Sequence, residues 1–458
     1  MIALGTAATR YWRTSLVVAG FAAASMVLGS AAWAQGNPGG NASAMRFVKA
    51  ITIPATPQNP VGKMFSFDIS WVDPATGLYF LADRSNSAVD VVDTTGAFTG
   101  TANTLFGQIG GQSSGQANFK GDTGSTATSG PDGVVSAFPC IFAGDGDSRL
   151  LSFAAPAYST VVSAMNTGGT TRVDEMAVDP VDGIITAANN AETPPFATTF
   201  TYNKTTCALS NPIKTTFNAA SGVDAQNGAE QPAWDPVTKR FYVSIPQVGS
   251  VASNGGVARV NPTTGVIEAV YPVNFCSPGG LSAGPNGDLM VGCSTVFDKA
   301  GNACSAVVPS PAATGAAVGH PALCTGTSGA QVAICNPSTG CTGNSLVSVQ
   351  GVGGGDELYY NSGDGNYYVT AGNLPIGPSF GVVASGLNAH QPNTLTQLVP
   401  TVPAVPAVPG DSHKVAGAHG AGTAHSIAAA GNFVYVPLPA NTSYPNCSTG
   451  CVAVFSAQ

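Results

Sequence analysis

Apolar residues in this chain gather in short β-branched and aromatic runs, each set between turn signals. Examples are Leu78-Tyr79-Phe80-Leu81, Phe241-Tyr242-Val243, Leu289-Met290-Val291, Tyr367-Tyr368-Val369 and Phe433-Val434-Tyr435-Val436. Runs of this kind read as strands, and no comparable stretch sustains a helical period. The expectation is an all-β protein.

The runs follow a recurring phrase: an acidic or polar residue, four mostly apolar residues, a turn, then a strand. It occurs as Asp68-Ile69-Ser70-Trp71-Val72-Asp73-Pro74, as Asp174-Glu175-Met176-Ala177-Val178-Asp179-Pro180 and as Glu230-Gln231-Pro232-Ala233-Trp234-Asp235-Pro236. Looser copies begin at Gly279, Asp356 and His425. Such a repeat describes one supersecondary unit that buries its apolar face only against its neighbours. Counting copies places blade openings near Phe67, Pro131, Asp174, Glu230, Gly279, Asp356 and His425, which predicts a seven-bladed β-propeller. The last blade is a strand short at Cys451-Val452-Ala453-Val454-Phe455. The run Arg46 to Ile53 is placed to supply that strand and close the ring, removing free sheet edges.

Three segments interrupt the spacing: 107–130, 297–344 and 385–423. The second is expected to be a disulfide-tied insertion at the rim of the fifth blade, the third a Pro-stiffened excursion. At the N-terminus, Arg10 and Arg13 precede an apolar run from Leu16 to about Leu28 and then Ala32-Trp33-Ala34, the order of a secretory signal peptide. Residues 1–34 are read as that leader and 35–458 as one propeller domain, periplasmic or secreted. Removing the leader takes away two arginines and moves the formal charge from −8 to about −10. A sparse acidic surface of this kind repels phosphate backbones, which argues against a nucleic-acid partner. No later apolar stretch is long enough to span a membrane as a helix.

All ten cysteines lie after the leader, and an even number in an exported chain reads as disulfides. Proximity suggests Cys276 with Cys293, Cys304 with Cys324, Cys335 with Cys341 and Cys447 with Cys451, leaving Cys140 and Cys207 for each other. The spacings match no common zinc finger, and there is no haem attachment site.

The phrases Asp83-Arg84-Ser85-Asn86-Ser87-Ala88-Val89-Asp90-Val91-Val92-Asp93, Ala143-Gly144-Asp145-Gly146-Asp147-Ser148, Gly284-Pro285-Asn286-Gly287-Asp288-Leu289 and Ala424-His425-Ser426-Ile427-Ala428 carry a resemblance. The chain from Arg46 onward, apart from the three interruptions, resembles exported seven-bladed propellers of the YVTN/NHL type. It is more distantly similar to gluconolactonase-like and virginiamycin-B-lyase-like propellers. The resemblance implies the fold. Such groups include lactone hydrolases, lyases and proteins without known catalysis, so it implies no single activity.

Residues at equal phase in the copies should form a ring about the axis: Asp68, Asp132, Asp174, Glu230, Gly279, Asp356 and His425. Acids gathered this closely cannot all ionise cheaply, so either some hold protons or a cation resides among them. Oxygen ligation favours Ca²⁺ or Mg²⁺, with Asp68, Asp174, Glu230 and Asp356 as candidate ligands. A metal held by Glu230 and Asp174 could polarise a carbonyl while the His425 imidazole moves a proton; with His425 and Glu230 as the catalytic residues, this would suit hydrolysis or elimination of a lactone or similar ester. Against it stands a structural reading, in which the acids accept hydrogen bonds from backbone N–H groups of adjacent blades. The protein would then be a non-catalytic scaffold whose rim loops bind a small molecule or a protein partner.

Other residues read as structural. Glu175 and Glu357 fall between blades by alternation, as hydrogen-bonding groups. Trp71 and Trp234 read as inter-blade packing. His390, His413 and His419 lie in a Gly/Ala/Pro-rich segment, and the recurrence of His413, His419 and His425 every six residues fixes no metal geometry. Asn189-Asn190-Ala191-Glu192-Thr193-Pro194-Pro195, with Asp83 and Asn86, would turn loops at one face and could line its mouth. No Gly-x-Ser-x-Gly elbow, phosphate-binding Gly-x-x-x-x-Gly-Lys or His-Glu-x-x-His occurs.

Overall fold

A computed structural model describes residues 44–111, 119–156, 158–285, 287–297, 300–303, 331–335, 346–350, 352, 356–371, 379–385, 394–401 and 425–457. The leader, His390, His413, His419, Cys304, Cys324 and Cys341 lie outside these residues, as does the side chain of Cys335. The fold is an all-β β-propeller. Among the described residues the helical content is one 3₁₀ turn, Ala219–Ser221, and no helix is long and apolar enough to cross a membrane.

After β1 (Met45–Thr52), the strands fall into antiparallel four-stranded sheets in chain order. The first holds β2 (Ser70–Val72), β3 (Leu78–Asp83), β4 (Ala88–Asp93) and β5 (Thr104–Gly110). The second holds β6 (Val134–Ala137), β7 (Cys140–Asp145), β8 (Arg149–Ala154) and β9 (Val161–Asn166). The third holds β10 (Met176–Asp179), β11 (Ile184–Asn189), β12 (Phe196–Tyr202) and β13 (Leu209–Thr216). The fourth holds β14 (Pro232–Asp235), β15 (Arg240–Ile245), β16 (Asn254–Val260) and β17 (Ile267–Asn274). The fifth holds β18 (Cys276–Ala283), β19 (Leu289–Val296), β20 (Gln331–Cys335) and β21 (Leu346–Gln350), and the sixth β22 (Leu358–Asn361), β23 (Asn366–Ala371), β24 (Ser379–Ala384) and β25 (Thr394–Pro400). The seventh joins β26 (Ala428–Ala430), β27 (Phe433–Leu438) and β28 (Cys451–Ala457) to β1, in the order β1-β28-β27-β26. Strand β1 pairs antiparallel with β28 from Met45 opposite Ala457 to Thr52 opposite Cys451. The strand expected to complete the last unit, from the N-terminal run Arg46 to Ile53, is there.

The recurring Asp-Pro turn has a physical account. Asp73 Oδ1 accepts from the N–H groups of Ala75 and Thr76, both at 2.9 Å. Asp179 Oδ1 does the same for Val181 and Asp182, and Asp235 for Val237 and Thr238. Each is an Asx turn in which proline presets one dihedral. The turn then closes with a residue at positive φ: Gly77, Gly183 and Lys239. The phrase is therefore a hairpin between the first and second strands of a sheet.

Apolar faces meet between successive sheets. Phe80, Val89 and Val91 of the first pack against Val134, Ile141, Leu151 and Phe153 of the second. Phe142 and Leu150 pack in turn against Ile185 and Phe200 of the third. Each fully buried Phe or Leu contributes about 1.5–3 kcal/mol relative to exposure. Trp71 borders both clusters and meets the Tyr359 ring at 5.6 Å, while Trp234 packs on Phe241 at 4.8 Å. Both tryptophans pack as expected. Strands β20 and β25 lie inside the segments 297–344 and 385–423, and β5 runs into 107–130 as far as Gly110, so part of each segment is sheet, not excursion.

Three predicted disulfides are present: Cys140–Cys207, Cys276–Cys293 and Cys447–Cys451. The first ties the second sheet to the β12–β13 turn of the third, and the second crosses β18 to β19. Bonds of this type belong to an oxidising compartment.

Candidate functional site: an axial cluster of carboxyls, guanidiniums and one imidazole

The first strands of the sheets contact one another in succession: β2 with β6, β6 with β10, β10 with β14, β14 with β18, β18 with β22, β22 with β26, and β26 with β2. Each is preceded by, or begins with, its copy of the phrase, so the equal-phase residues face a common centre. Asp68, Asp132 and Asp174 bring one carboxylate oxygen each within 4.8 Å of one another, and all three are buried. His425 Nε2 lies 2.7 Å from Asp68 Oδ1, and its Nδ1 lies 3.3 Å from Asp356 Oδ2. Glu230 feels the charges of Asp174 and Asp356. Asp132 proves to be wholly buried within the trio, whereas Glu230 and Asp356, expected beside Asp68 and Asp174 as ligands, stand outside it.

Two arginines complete the centre, and sequence reasoning assigned neither of them there. Arg84, 2% exposed, donates from its terminal nitrogen to Asp68 Oδ2 and from Nε to Asp132 Oδ1. It also donates to the Phe67 carbonyl at 3.1 Å. Arg172 reaches Asp174 Oδ2 at 2.6 Å, Asp68 Oδ2 at 3.3 Å and Asp132 Oδ1 at 3.8 Å. Its Nε donates to Asn190 Oδ1 at 3.2 Å, and Asn190 Nδ2 donates to Glu230 Oε2 at 3.2 Å. A signal did exist: Lys and Arg together number 16 in 458 residues, and these two sit within or beside the acidic phrases. Asn189-Asn190 likewise serves the centre, since Asn189 Nδ2 donates to the Arg172 carbonyl at 3.0 Å. Asn86 is structural: it bonds Asp83 at 2.6 Å and accepts from Thr56 N–H at 3.0 Å, holding the segment that follows β1.

Backbone packing enforces the convergence. A Cβ on Gly133 would overlap the carbonyl oxygen of Asp174, so only glycine after Asp132 lets the second and third sheets approach this closely. Beyond them, Gln231 Oε1 accepts from Leu281 N–H at 2.6 Å and from Leu358 N–H at 3.1 Å, linking the fourth sheet to the fifth and sixth. A Cβ on Gly280 would press on Leu358 Cγ at 2.9 Å. The fifth sheet thus gives the ring bare backbone at Gly279-Gly280, as expected for Gly279.

Charge does not balance in this volume. Among the described residues, Asp68, Asp132, Asp174, Glu175, Glu230, Asp356 and Glu357 are set against Arg84, Arg172 and His425. Burial, with repulsion from Asp174 and Asp356, pushes Glu230 up to about 8 against the opposing Arg172. Burial also pushes Asp132 up to about 7 despite Arg84 and Arg172, and its Oδ2 finds no hydrogen-bond partner among the described residues. Glu175 is raised by burial and by Glu230, Asp174 and Asp356. Arg172, though buried, is held above its usual range by Asp174, Asp132 and Glu230. Each of these carboxyl shifts favours the protonated form.

Glu357 matches its expected inter-sheet role: Oε2 accepts from Ile427 N–H of the next sheet at 2.9 Å. Glu175 does not match. It is 4% exposed, yet its Oε2 meets no donor among the described residues. As to a metal, the Asp68–Asp132–Asp174 trio could hold an ion by spacing and by its hard oxygen donors. The same oxygens already carry two guanidiniums, so a divalent ion seated there would have to displace arginine or sit beside two like charges.

No family model and no curated protein matches the sequence. Among solved structures, the fold is similar to a Kuenenia stuttgartiensis hydrazine synthase chain, with 12% identity, 86% of this chain and 96% of that chain covered, and a TM-score of 0.54. It is also similar to a chain in the crystal structure of the mitotic checkpoint complex, with 10% identity, 98% of each chain covered, and a TM-score of 0.53. At such identities the likeness is one of β-propeller fold alone.

Proposed function

We propose that this chain is an exported seven-bladed β-propeller, closed by β1 on the C-terminal sheet, that binds a small molecule in its acidic axial channel. The observation that carries this reading is the charge imbalance: seven carboxyls converge on two guanidiniums and one imidazole. A ligand bringing positive charge, or accompanied by a divalent cation such as Ca²⁺ or Mg²⁺, relieves that excess. Asp356, whose side chain is 46% exposed, and His425, at 21%, are the groups a solute meets first.

In the catalytic form of this reading, a lactone or similar ester is opened by water. Glu230, raised to about 8, is protonated near neutrality and suits a general acid toward the leaving oxygen. His425, set between Asp68 and Asp356, takes the proton from the attacking water.

A second reading has its own observation. Arg84 satisfies Asp68 and Asp132 inside the protein, as expected of a structural keystone in a non-catalytic scaffold that binds partners through its rim. Elemental analysis and melting curves before and after chelation, with a panel of lactones and esters, separate the readings. Glu230→Gln is expected to abolish turnover and any ligand-dependent rise in melting temperature. Absence of any ligand or cation response in the native protein would leave the scaffold reading standing alone.

A further inference from the structure

The first sheet carries a buried polar cluster, away from the axial acids, where it meets the last sheet. Its strand pairing sets Leu81 opposite Asp90, Asp83 opposite Ala88, and Asp90 opposite Gln108. Asp83, Asp90 and Gln108 therefore lie on one face of the sheet, the two acids as diagonal neighbours on adjacent strands. Tyr79 and Leu81 of that face pack with Tyr435 and Val452 of the last sheet, so the acids line the seam between the two. Both are fully buried. Asp83 Oδ1 accepts from Asn86 N–H at 3.1 Å and its Oδ2 from Asn86 Nδ2 at 2.6 Å. Asp90 Oδ1 accepts from Gln108 Nε2 at 2.8 Å, while Asp90 Oδ2 finds no donor among the described residues. Asn86 and Gln108 also grip one stretch of chain, residues 54–62, which follows β1. Asn86 Oδ1 accepts from Thr56 N–H at 3.0 Å and from Asn59 Nδ2 at 2.9 Å, and Gln108 Nε2 donates to the Pro54 carbonyl at 3.1 Å.

We propose that Asp83 and Asp90 share a proton whose loss releases residues 54–62 from the seam, so that the chain between β1 and the first sheet is a pH-sensitive latch. A protonated carboxyl donates where a carboxylate only accepts, so a proton on Asp90 gives its unmet oxygen a partner in Asp83. Without that proton, two buried charges repel. The repulsion drives apart the two residues whose partners, Asn86 and Gln108, hold 54–62 from either side. Burial pushes Asp83 up to about 7, and burial with the charge of Asp83 holds Asp90 well above the carboxylate range. Both shifts are upward, so the stability contributed by the pair is fully present below about 3.8 and falls as pH rises through about 7 and beyond. Among the described residues, the other ionisable groups at this face are Tyr79, on which Asp90 and Glu357 act, and Tyr435 beside it. Arg84, next to Asp83, is turned to Asp68 and Asp132. Residues 54–62 and β5 bring no ionisable side chain, and Lys63 beyond them is exposed.

The test is amide hydrogen exchange of the purified protein, read by mass spectrometry at pH 6 and pH 9, with each rate divided by that of the same peptide unfolded at that pH. Protection of the amides in 55–62 is expected to fall by about tenfold or more between the two, while β11 of the third sheet holds within about twofold. Asp90→Asn keeps an acceptor for Gln108 and offers Asp83 an amide donor at every pH, so it is expected to retain at pH 9 the protection seen at pH 6. Asp83→Asn also leaves a single carboxyl and is expected to do the same. Circular dichroism and melting establish that each variant folds. Protection of 55–62 that does not change with pH in the native protein overturns the proposal, whatever the variants do. A loss shared equally by β11 overturns it as well, since the opening is then global. So does a loss that persists in either folded variant.

Discussion

His425 Nε2 lies 2.7 Å from Asp68 Oδ1 although the two residues are 357 apart in sequence. The contact joins the approach to β26, in the last sheet, to the approach to β2, in the first. Through Nδ1 the same ring reaches Asp356 Oδ2 at 3.3 Å, so one imidazole spans two carboxylates from different sheets. His425→Ala is expected to lower unfolding free energy by about 1.5–3 kcal/mol, the range for hydrogen bonds to charged groups. Equilibrium urea denaturation reads this directly.

Arg84 should matter more. It is 2% exposed and holds both Asp68 and Asp132, so removing it leaves two buried carboxylates to the longer contacts of Arg172, at 3.3 and 3.8 Å, and to His425. Arg84→Met is expected to cost about 3–5 kcal/mol. Adding Asp132→Asn should recover part of the loss, because one of the two charges disappears with it. A double-mutant cycle in urea checks the sign of that coupling.

Glu357 sets a pH dependence whose sign can be worked out. Burial pushes its carboxyl from 4.5 to about 8, against the lowering effect of Ser426 and Ile427 N–H. The folded protein thus binds this proton more tightly than the unfolded chain. The stability it contributes is fully present below about 4.5 and falls as pH rises through about 8. Glu357→Gln, which keeps an acceptor for Ile427 N–H, should flatten the decline in urea midpoint between pH 5 and pH 8.

The three disulfides among the described residues are expected to rank by the loop each one closes. Sequence separations are 67 for Cys140–Cys207, 17 for Cys276–Cys293 and 4 for Cys447–Cys451. Loop-closure entropy then predicts losses of about 4, 3 and 2 kcal/mol when each pair is replaced by serine. Denaturation of the three double variants under non-reducing conditions tests the order.

Much of this architecture is legible in the chain itself. Asp73-Pro74, Asp179-Pro180 and Asp235-Pro236 mark Asx turns because both residues act on their own backbone. The runs after them alternate as strands because side-chain period in a strand is set locally. Equal phase was enough to bring Asp68, Asp132, Asp174 and His425 to one centre, and proximity in sequence was enough for Cys276–Cys293 and Cys447–Cys451. What only the tertiary structure decided is who neutralises whom. Arg84 follows β3 and Arg172 precedes β10, so neither shares the phase of the acids, and their reach into the centre depends on how neighbouring sheets splay. The same holds for Glu175, whose position in the repeat matches that of Glu357. One finds Ile427 N–H and the other finds no donor, because a hydrogen bond between sheets depends on the partner sheet's backbone, which no local pattern encodes.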